Sequence, residues 1–171
     1  MRLSEAELLR GCYGGPGAGL AEAVVGGYHA PMSENPVHAM NRQVIEEFRA
    51  NGGKTLTRFA GTELLLLHTK GARTGAERVN PTMFARDGER YVVFASKNAA
   101  PSHPDWYRNL VAHPDVEVEL GTERFAAKAI VLEGDERRRV WELSARQFPF
   151  LDEHQSRTQR QIPVVALERE S

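Results

Sequence analysis

Cysteine is almost absent from this sequence, since Cys12 is the only one among 171 residues. A lone cysteine cannot form an intrachain disulfide, and a reducing compartment suits such a chain. A domain of this length buries roughly two thirds of the surface that its unfolded chain exposes. The sequence also lacks an apolar run near the roughly 20 residues of a membrane span. We therefore expect one folded domain in the cytoplasm, stabilised without disulfides or structural metals.

A strong net charge is also lacking. The 22 Lys and Arg residues offset the 23 Asp and Glu residues and leave a formal charge of −1. Non-specific binding to nucleic acid usually depends on a basic excess, so a nucleic-acid partner is not expected. Any attraction for an anionic small molecule must come from a local cluster of cations.

Recognisable catalytic motifs are missing as well. There is no Gly-x-Ser-x-Gly sequence, which would mark a nucleophilic serine. The six histidines are scattered, without a His-x-x-x-His pair or a neighbouring cysteine, so no metal site is predicted. Ser96, His103 and Asp105 lie too close together in the sequence to be counted as a triad. A chain of this kind can leave the chemistry to a bound redox cofactor.

Glycine, by contrast, crowds residues 1–34, which also contain Pro16 and Pro31. Because glycine loses much backbone entropy on folding, this composition predicts a flexible extension. The extension could cover a pocket, dock on a partner or touch the inner face of the membrane weakly. Residues 35–171 are then the folded domain.

Hydrophobic periodicity predicts alternating groups of helices and strands in that domain. Asn35 and Pro36 begin the first helix, and Asn51-Gly52-Gly53 ends it. Ser102 and Asp135 are predicted to cap two later helices. The predicted strands are residues 63–68, 78–84, 91–95, 116–120, 125–131 and 162–167, with Pro81 marking an edge or a bulge. Short turns such as Asp87-Gly88 require antiparallel pairing, so about six strands with helices in the gaps predict a small barrel.

The loop between the first two strands concentrates groups that bind anions. It offers backbone N–H groups at two glycines, two hydroxyls and three cations: Thr69, Lys70, Gly71, Arg73, Thr74, Gly75 and, just beyond it, Arg78. Such a set can bind phosphate or carboxylate through charge-assisted hydrogen bonds. A solvated hairpin loop with ordinary surface charges is the alternative.

A second loop begins with Ser96 and Lys97, directly after a central strand, where ligand groups are often found. Trp106 and Tyr107 follow on a helix and could flank a planar ring, although aromatic residues at helical spacing more often belong to the core. Asn109 lies one turn further, and a solvent-facing position is its default interpretation.

Several segments in register resemble one known family, the deazaflavin-dependent nitroreductases and quinone reductases. The resemblance covers about residues 38–168. It is carried by Ile45–Lys54, Leu64–Gly75, Arg78, Asp87-Gly88, Ala95-Ser96-Lys97, His103–Leu110, His113–Val116 and Gln161–Val165.

The resemblance implies a mainly β fold with helices (α+β), a split β-barrel of the FMN-binding type. It implies an enzyme that uses coenzyme F420 and passes a hydride from the reduced deazaflavin to a quinone, a nitro compound or an activated alkene. Proteins of this type often form homodimers. An FMN-binding oxidoreductase and a non-catalytic protein that binds F420 or lipid are the alternatives.

The resemblance also implies roles for individual residues. Lys70, Arg73, Thr74 and Arg78 would hold the anionic phosphate and glutamate tail of the coenzyme. Ala95, Ser96 and Lys97 would line the deazaflavin ring, and Trp106, Tyr107 and Asn109 would fix its other side. Met83 would face the substrate.

Two departures from the family pattern qualify these roles. Ala72 stands where the family has a cation, and Lys70 replaces a small hydroxyl residue. No tyrosine follows Tyr107, whereas nitroreductases supply tyrosines to the substrate pocket before the last strand. This chain offers Phe148, Phe150, Leu151 and His154 there, so we expect a more apolar pocket with His154, Ser96 or water as the proton donor. Quinone reduction is therefore expected ahead of nitroreduction, because hydride transfer mainly needs positioning.

Overall fold

Residues 35–171 of the computed structural model are described, and six antiparallel strands in this range close into a barrel in the order β1-β2-β3-β6-β5-β4. This architecture confirms the predicted mainly β fold. The strands are β1 (Leu64–Lys70), β2 (Glu77–Asp87), β3 (Arg90–Phe94), β4 (Asp115–Leu120), β5 (Glu123–Val131) and β6 (Val164–Arg169). The helices are α1 (Pro36–Ala50), α2 (Asp105–Ala112), α3 (Gly134–Gln147) and α4 (Phe150–Ser156), with a short helical turn at Lys97–Ala99. The extension predicted at residues 1–34 lies outside the described range.

The apolar run at the start of β1 is buried on both of its faces, as predicted. β1 pairs with β2 along its whole length and with β4 from Leu66 to His68. Leu65 and Leu67 point into the barrel core. Leu64 and Leu66 pack in a second cluster with Val44 and Phe48 of α1. Because both faces exclude water, the strand needs no polar alternation.

The start and end of α1 follow the predicted capping pattern. The Asn35 side chain accepts a hydrogen bond of 3.0 Å from the backbone N–H of Val37, and Pro36 occupies the first turn. Gly52 and Gly53 have φ angles of 61° and 88° after the helix. A Cβ atom at Gly53 would lie 2.3 Å from the Cα of Gly121, so this glycine also lets the α1 end approach the β4–β5 turn.

Two predicted helix caps are wrong. Ser102 does not cap α2, which follows Pro104 without a side-chain cap, and the Ser102 hydroxyl accepts a hydrogen bond from Lys97 Nζ instead. Asp135 lies inside the first turn of α3, after Glu133, and pairs with Arg138. Both acceptors are satisfied by cations, which leaves the cap positions to residues without a capping bond.

The predicted strand ends are displaced by one or more residues. β1 runs on to Lys70, since pairing with Glu77 extends the hairpin beyond the apolar run. β6 begins at Val164, after the Pro163 carbonyl has accepted a bond from Ala95 N–H. Pro81 pairs with Leu66 of β1 in a continuous register and precedes the Phe84–Asp87 pairing with β3, so it lies neither on an edge strand of the closed barrel nor at a bulge. None of the helices in the described range is long and apolar enough to cross a membrane.

A charge cluster ties α3 to the β2–β3 hairpin. The Asp87 carboxylate accepts hydrogen bonds of 2.9 and 3.0 Å from Arg139 and one of 2.5 Å from Arg90. Arg90 also donates to Glu136 of α3 at 2.7 Å. These guanidinium groups lower the pKa of Asp87 to about 2.

The shifted pKa predicts a pH-dependent contribution to stability. We expect Asp87→Asn to lower the free energy of unfolding at pH 7 by roughly 1 to 2 kcal/mol, because Arg90 and Arg139 stabilise the charged carboxylate only in the folded state. The difference from the unchanged protein should shrink as the pH falls from about 4, the pKa of an unfolded Asp, towards about 2. Urea unfolding at several pH values measures it. Asp135→Asn, at an exposed ion pair, is the matched control and should change stability by less than about 0.5 kcal/mol. Equal effects of the two substitutions would contradict the assignment.

Candidate functional site

A cleft of about 470 Å³ lies between the β1–β2 loop and α2. Arg73, Thr74 and Arg78 line it from the loop side, and Trp106 and Asn109 line it from α2. The structure therefore brings together five of the residues predicted to bind the coenzyme. The remaining lining residues are His38, Gly71, Ala72, Asn80, Asp105 and Arg108.

The cations of this cleft are weakly neutralised by the protein. Within residues 35–171, neither Arg73 nor Arg78 forms an ion pair with a carboxylate, and Arg78 donates only a long bond of 3.4 Å to the Glu77 carbonyl. Arg108 faces Asp105 at 3.9 Å, with both side chains exposed. Elsewhere, Arg49 and Arg139 pair closely with carboxylates. The cleft thus retains positive charge for an anionic ligand.

The β1–β2 loop has a compact backbone that depends on glycine. Gly71 N–H donates to the Ala76 carbonyl at 2.7 Å, and Gly75 N–H donates to the Gly71 carbonyl at 2.8 Å. Gly75 has a φ of 68°. A Cβ atom at Gly71 would lie 2.6 Å from the Thr74 hydroxyl oxygen, so a side chain there would displace this hydroxyl.

Asn109 connects α2 to this loop. Its side-chain oxygen accepts a bond of 3.0 Å from Ala72 N–H, and its amide nitrogen donates to the Thr69 hydroxyl at 3.2 Å. The side chain is buried, which makes the solvent-facing interpretation wrong. Asn109 therefore fixes the shape of the cleft, and its contact with the coenzyme stays a prediction.

The two aromatic residues of α2 occupy different environments. Trp106 is buried in the barrel core, and its indole nitrogen is buried without a hydrogen-bond partner. Tyr107 is half-buried, its ring lies 4.9 Å from the His103 ring, and burial raises the pKa of its hydroxyl. Trp106 is therefore mainly a core residue that also lines the cleft.

The predicted ring-binding residues follow β3 in a strained turn. Ala95 is fully buried and Ser96 nearly so. Lys97, Asn98 and Ala99 then have φ angles of 46°, 50° and 60°, a left-handed run without glycine. The left-handed conformation costs each such residue roughly 1 to 2 kcal/mol of conformational free energy. Successive residues keep it only where contacts with surrounding groups stabilise it. Strain of this kind is common at ligand sites.

Lys70 lies away from the cationic cleft. It lines a separate cleft of about 390 Å³ together with His68, Glu77, Asp115 and Glu117, among others. β1 is pleated, so successive side chains face opposite sides. Lys70 therefore does not line the same cleft as Arg73 and Arg78, and its role in holding the coenzyme stays a prediction.

The residues predicted to face the substrate gather outside the barrel. Met83, Phe148 and Leu151 all belong to the apolar cluster between α1, α3 and α4, in which Leu151 is fully buried. The predicted apolar character of this region agrees with that cluster. Leu151 shapes the cluster from inside and presents no exposed surface.

The two candidate proton donors are both buried. His154 lies on α4 with its ring 5.3 Å from the Phe150 ring, and its Nδ1 atom is buried without a partner. Burial lowers the pKa of His154, so the imidazole is neutral at pH 7. α4 packs on the Lys97–Ala99 turn, which places His154 and Ser96 in neighbouring elements.

His68 is a polar centre that the sequence did not reveal. Its Nδ1 lies 2.6 Å from a Glu77 oxygen, and its Nε2 lies 2.6 Å from a Glu119 oxygen. Arg49 also binds Glu119, and the pKa of Glu119 falls to about 2, mainly because of this bond. The pairing joins β1, β2, β4 and α1, and no sequence pattern signals contacts across such distances.

His68, Glu77 and Glu117 lie close enough to share a metal ion, since their ligand atoms are within 4.8 Å of one another. Arg124 already binds Glu117 and lies 3.5 Å from Glu77. This guanidinium contacts both carboxylates, so the group forms an ion-pair network. The absence of a metal site stays a prediction of the sequence.

Arg160 is a second residue that the sequence analysis missed. It lies between α4 and β6, and its guanidinium contacts the segment from Ser96 to His103. An isolated arginine in a polar stretch carries no sequence signal for such a contact.

Comparison with known proteins places these observations in one family. The family model described as F420H(2)-dependent quinone reductase matches residues 40–169. An F420H(2)-dependent quinone reductase of Mycobacterium tuberculosis is 40% identical over 126 residues, which cover 71% of this chain and 85% of that protein.

Two solved structures share the fold. An F420-H2 dependent reductase, FDR-A, superimposes with a TM-score of 0.57 at 38% identity, covering 61% of this chain and 93% of that chain. A structure described as a domain-swapped dimer gives a TM-score of 0.60 at 32% identity, covering 78% of this chain and all, 100%, of that chain. The predicted split-barrel fold and the predicted family are therefore confirmed. The chain belongs to the F420H(2)-dependent quinone reductase family, a family of oxidoreductases that use reduced coenzyme F420.

Proposed function

We propose that this protein reduces quinones with coenzyme F420H2 bound along the cleft between the β1–β2 loop and α2. The observation that carries the proposal is the pair of guanidinium groups, Arg73 and Arg78, that line this cleft without a carboxylate partner in the described range. Cations of this kind bind phosphate and carboxylate groups through charge-assisted hydrogen bonds. The phosphate and glutamate tail that the family resemblance implies for the coenzyme carry both groups.

The residues present fit the anionic part of the coenzyme. Arg73 and Arg78 supply bidentate donors, Thr74 supplies a hydroxyl, and Gly71 allows the backbone to approach closely. Asn109 keeps Ala72 and Thr69 in place, so that the donors are organised before binding.

The coenzyme, when bound, supplies the hydride. The chain contributes positioning and the exclusion of water. Ala95, Ser96 and Lys97 would line the ring, and Met83 and Phe148 would offer the quinone an apolar surface from the second cluster. Reduction of a quinone to a quinol needs one hydride and one proton, and Ser96, His154 or water would supply the proton. His154 is neutral at pH 7, so it could donate only its remaining ring N–H proton.

Nitro compounds and activated alkenes are weaker candidate substrates. No tyrosine follows Tyr107 in the sequence, and the described apolar cluster contains Phe148, Phe150 and Leu151. An apolar lining offers little stabilisation for the negative charge on a nitro group during its reduction. FMN as the cofactor, and binding of F420 without catalysis, remain the alternatives that the experiment must distinguish.

A reoxidation assay tests the proposed reaction. Purified protein mixed with F420H2 and menadione should regenerate the absorbance of oxidised F420 at a rate proportional to enzyme concentration. Because the cluster proposed to face the substrate is apolar, a nitroaromatic substrate should react at least about tenfold more slowly.

Titrations with F420 and FMN accompany this assay as the control for cofactor identity. Tight FMN binding without F420 binding would contradict the proposal. F420 binding without any quinone-dependent reoxidation would favour the non-catalytic alternative.

Substitution of Arg78 tests the anion site. Arg78→Ala should weaken F420 binding by about tenfold to a hundredfold, because one hydrogen-bonded charge contributes roughly 1.5 to 3 kcal/mol. Fluorescence titration of the coenzyme measures the affinity, and thermal unfolding checks the fold.

Arg146→Ala removes an exposed arginine from the end of α3 and serves as the control for the change in net charge. It should leave the affinity within about twofold, because an exposed distant charge is screened. Equal affinities of the Arg78 and Arg146 variants would show that Arg78 does not hold the coenzyme.

Two further expectations follow for the protein in the cell. A homodimer is expected, and the structural relative described as a domain-swapped dimer supports this expectation. A cytoplasmic location, with or without weak contact with the inner face of the membrane, stays a prediction of the sequence.

A further inference from the structure

The segment after β3 keeps an unfavourable backbone shape. Lys97, Asn98 and Ala99 all have positive φ angles, between 46° and 60°. The backbone bonds within the turn run from Ala99 N–H to the Ser96 carbonyl and from Ala100 N–H to the Lys97 carbonyl, both at 3.0 Å. Three L-residues in succession disfavour this conformation, so groups outside the turn must hold it.

The Arg160 guanidinium supplies those groups. Its Nη2 donates to the Ser96 carbonyl at 2.8 Å, and its Nε donates to the Ala100 carbonyl at 2.8 Å. These two carbonyls lie on either side of the left-handed run. One planar guanidinium group therefore holds both ends of the run. The fork of an arginine is well suited to such a bridge, since its donors have a fixed planar geometry.

A third contact extends the bridge to α2. Arg160 Nη1 lies 3.0 Å from His103 Nδ1. Arginine can only donate, so Nδ1 accepts, and the proton of the neutral ring is on Nε2. The His103 ring lies against Tyr107, with 4.9 Å between ring centroids. Arg160 thus connects the ring-lining turn with an aromatic residue of α2.

The main chain of Arg160 is also held in place. Gln155 Nε2 of α4 donates to the Arg160 carbonyl at 2.8 Å, and Gln155 Oε1 accepts from Ile162 N–H at 2.9 Å. In the described part of the chain, no carboxylate forms a salt bridge with Arg160. Its hydrogen bonds are therefore directed at the segment from Ser96 to His103.

We infer that Arg160 is a positioning residue for the coenzyme, which holds the Ser96–Ala100 backbone in the shape that binds the deazaflavin ring. This inference rests on the proposed function, because that function makes Ala95, Ser96 and Lys97 the ring-binding wall. Arg160 acts through the backbone and through His103, and it needs no contact with the coenzyme itself.

Hydrogen exchange on the coenzyme-free protein tests the positioning role directly. In Arg160→Ala, the amides of residues 97–103, except Pro101, which has no N–H, should exchange at least about tenfold faster, because opening of this segment no longer requires the guanidinium hydrogen bonds to break. The rest of the chain should keep its protection. Arg157→Ala is the matched control. Arg157 is exposed, directly follows α4 and pairs with Glu153 of that helix at 3.6 Å.

Coenzyme titration and chemical rescue complete the test. Arg160→Ala should bind F420 at least about tenfold more weakly, and guanidinium ion at about 20 mM, far below the molar concentrations used for unfolding, should restore most of the affinity. Arg160→Lys, which keeps the charge, serves as the second variant if Arg160→Ala does not fold. A lysine cannot reproduce the planar fork of the guanidinium group. The amides at 97–103 of the Arg160→Lys variant should therefore still exchange faster than in the unchanged protein.

Each other outcome contradicts a stated part of the account. Unchanged exchange at residues 97–103 would overturn the inference, and so would faster exchange spread evenly over the whole chain. Local loosening with unchanged F420 affinity would overturn the link to the coenzyme. If the unchanged protein protects these amides but does not bind F420, the proposed function fails while the structural role of Arg160 stands.

Discussion

Closure of the barrel through β1 is the constraint on which the rest of the structure depends. β1 pairs with β2 on one side and with β4 on the other, and its four leucines are buried on both faces. Each buried leucine contributes roughly 1.5 to 3 kcal/mol, so the strand is firmly held. The cationic loop leaves the end of this strand, and the Lys97–Ala99 turn follows the end of β3. Both therefore start from fixed positions.

Positive charge is distributed unevenly over this scaffold. Arginines that join elements, such as Arg49, Arg90 and Arg139, form close pairs with carboxylates. Those of the cleft, Arg73 and Arg78, form none within residues 35–171. Both arginines therefore remain available to neutralise an anionic ligand. Backbone strain is also localised, since the non-glycine residues with positive φ angles in the described range all lie in the Lys97–Ala99 turn.

Sequence patterns revealed the parts of this structure that depend on local chemistry. The apolar run of β1, the Asn35 cap and the Asp87-Gly88 turn are short-range signals, and each is confirmed. The grouping of Arg73, Thr74, Arg78, Trp106 and Asn109 followed from the family resemblance, and the cleft contains all five. The role of each residue towards the coenzyme still awaits experiment.

Contacts between distant segments could not be read from the sequence. His68 lies between Glu77 and Glu119, and Arg160 reaches Ser96 across 64 positions. Such contacts depend on the three-dimensional closure of the barrel and leave no periodic trace. The two wrong caps have a different cause, because Ser102 and Asp135 each bind a cation only a few residues away in the sequence, Lys97 and Arg138 respectively.

The central claim is that the uncompensated cations of the cleft hold the anionic tail of F420. The most direct measurement compares the affinity of the complete coenzyme with that of the same deazaflavin lacking the phosphate and glutamate tail. The account predicts that the complete coenzyme binds at least about tenfold more tightly, because each charge-assisted hydrogen bond contributes roughly 1.5 to 3 kcal/mol. Equal affinities would show that the cleft does not hold the tail and would contradict the account.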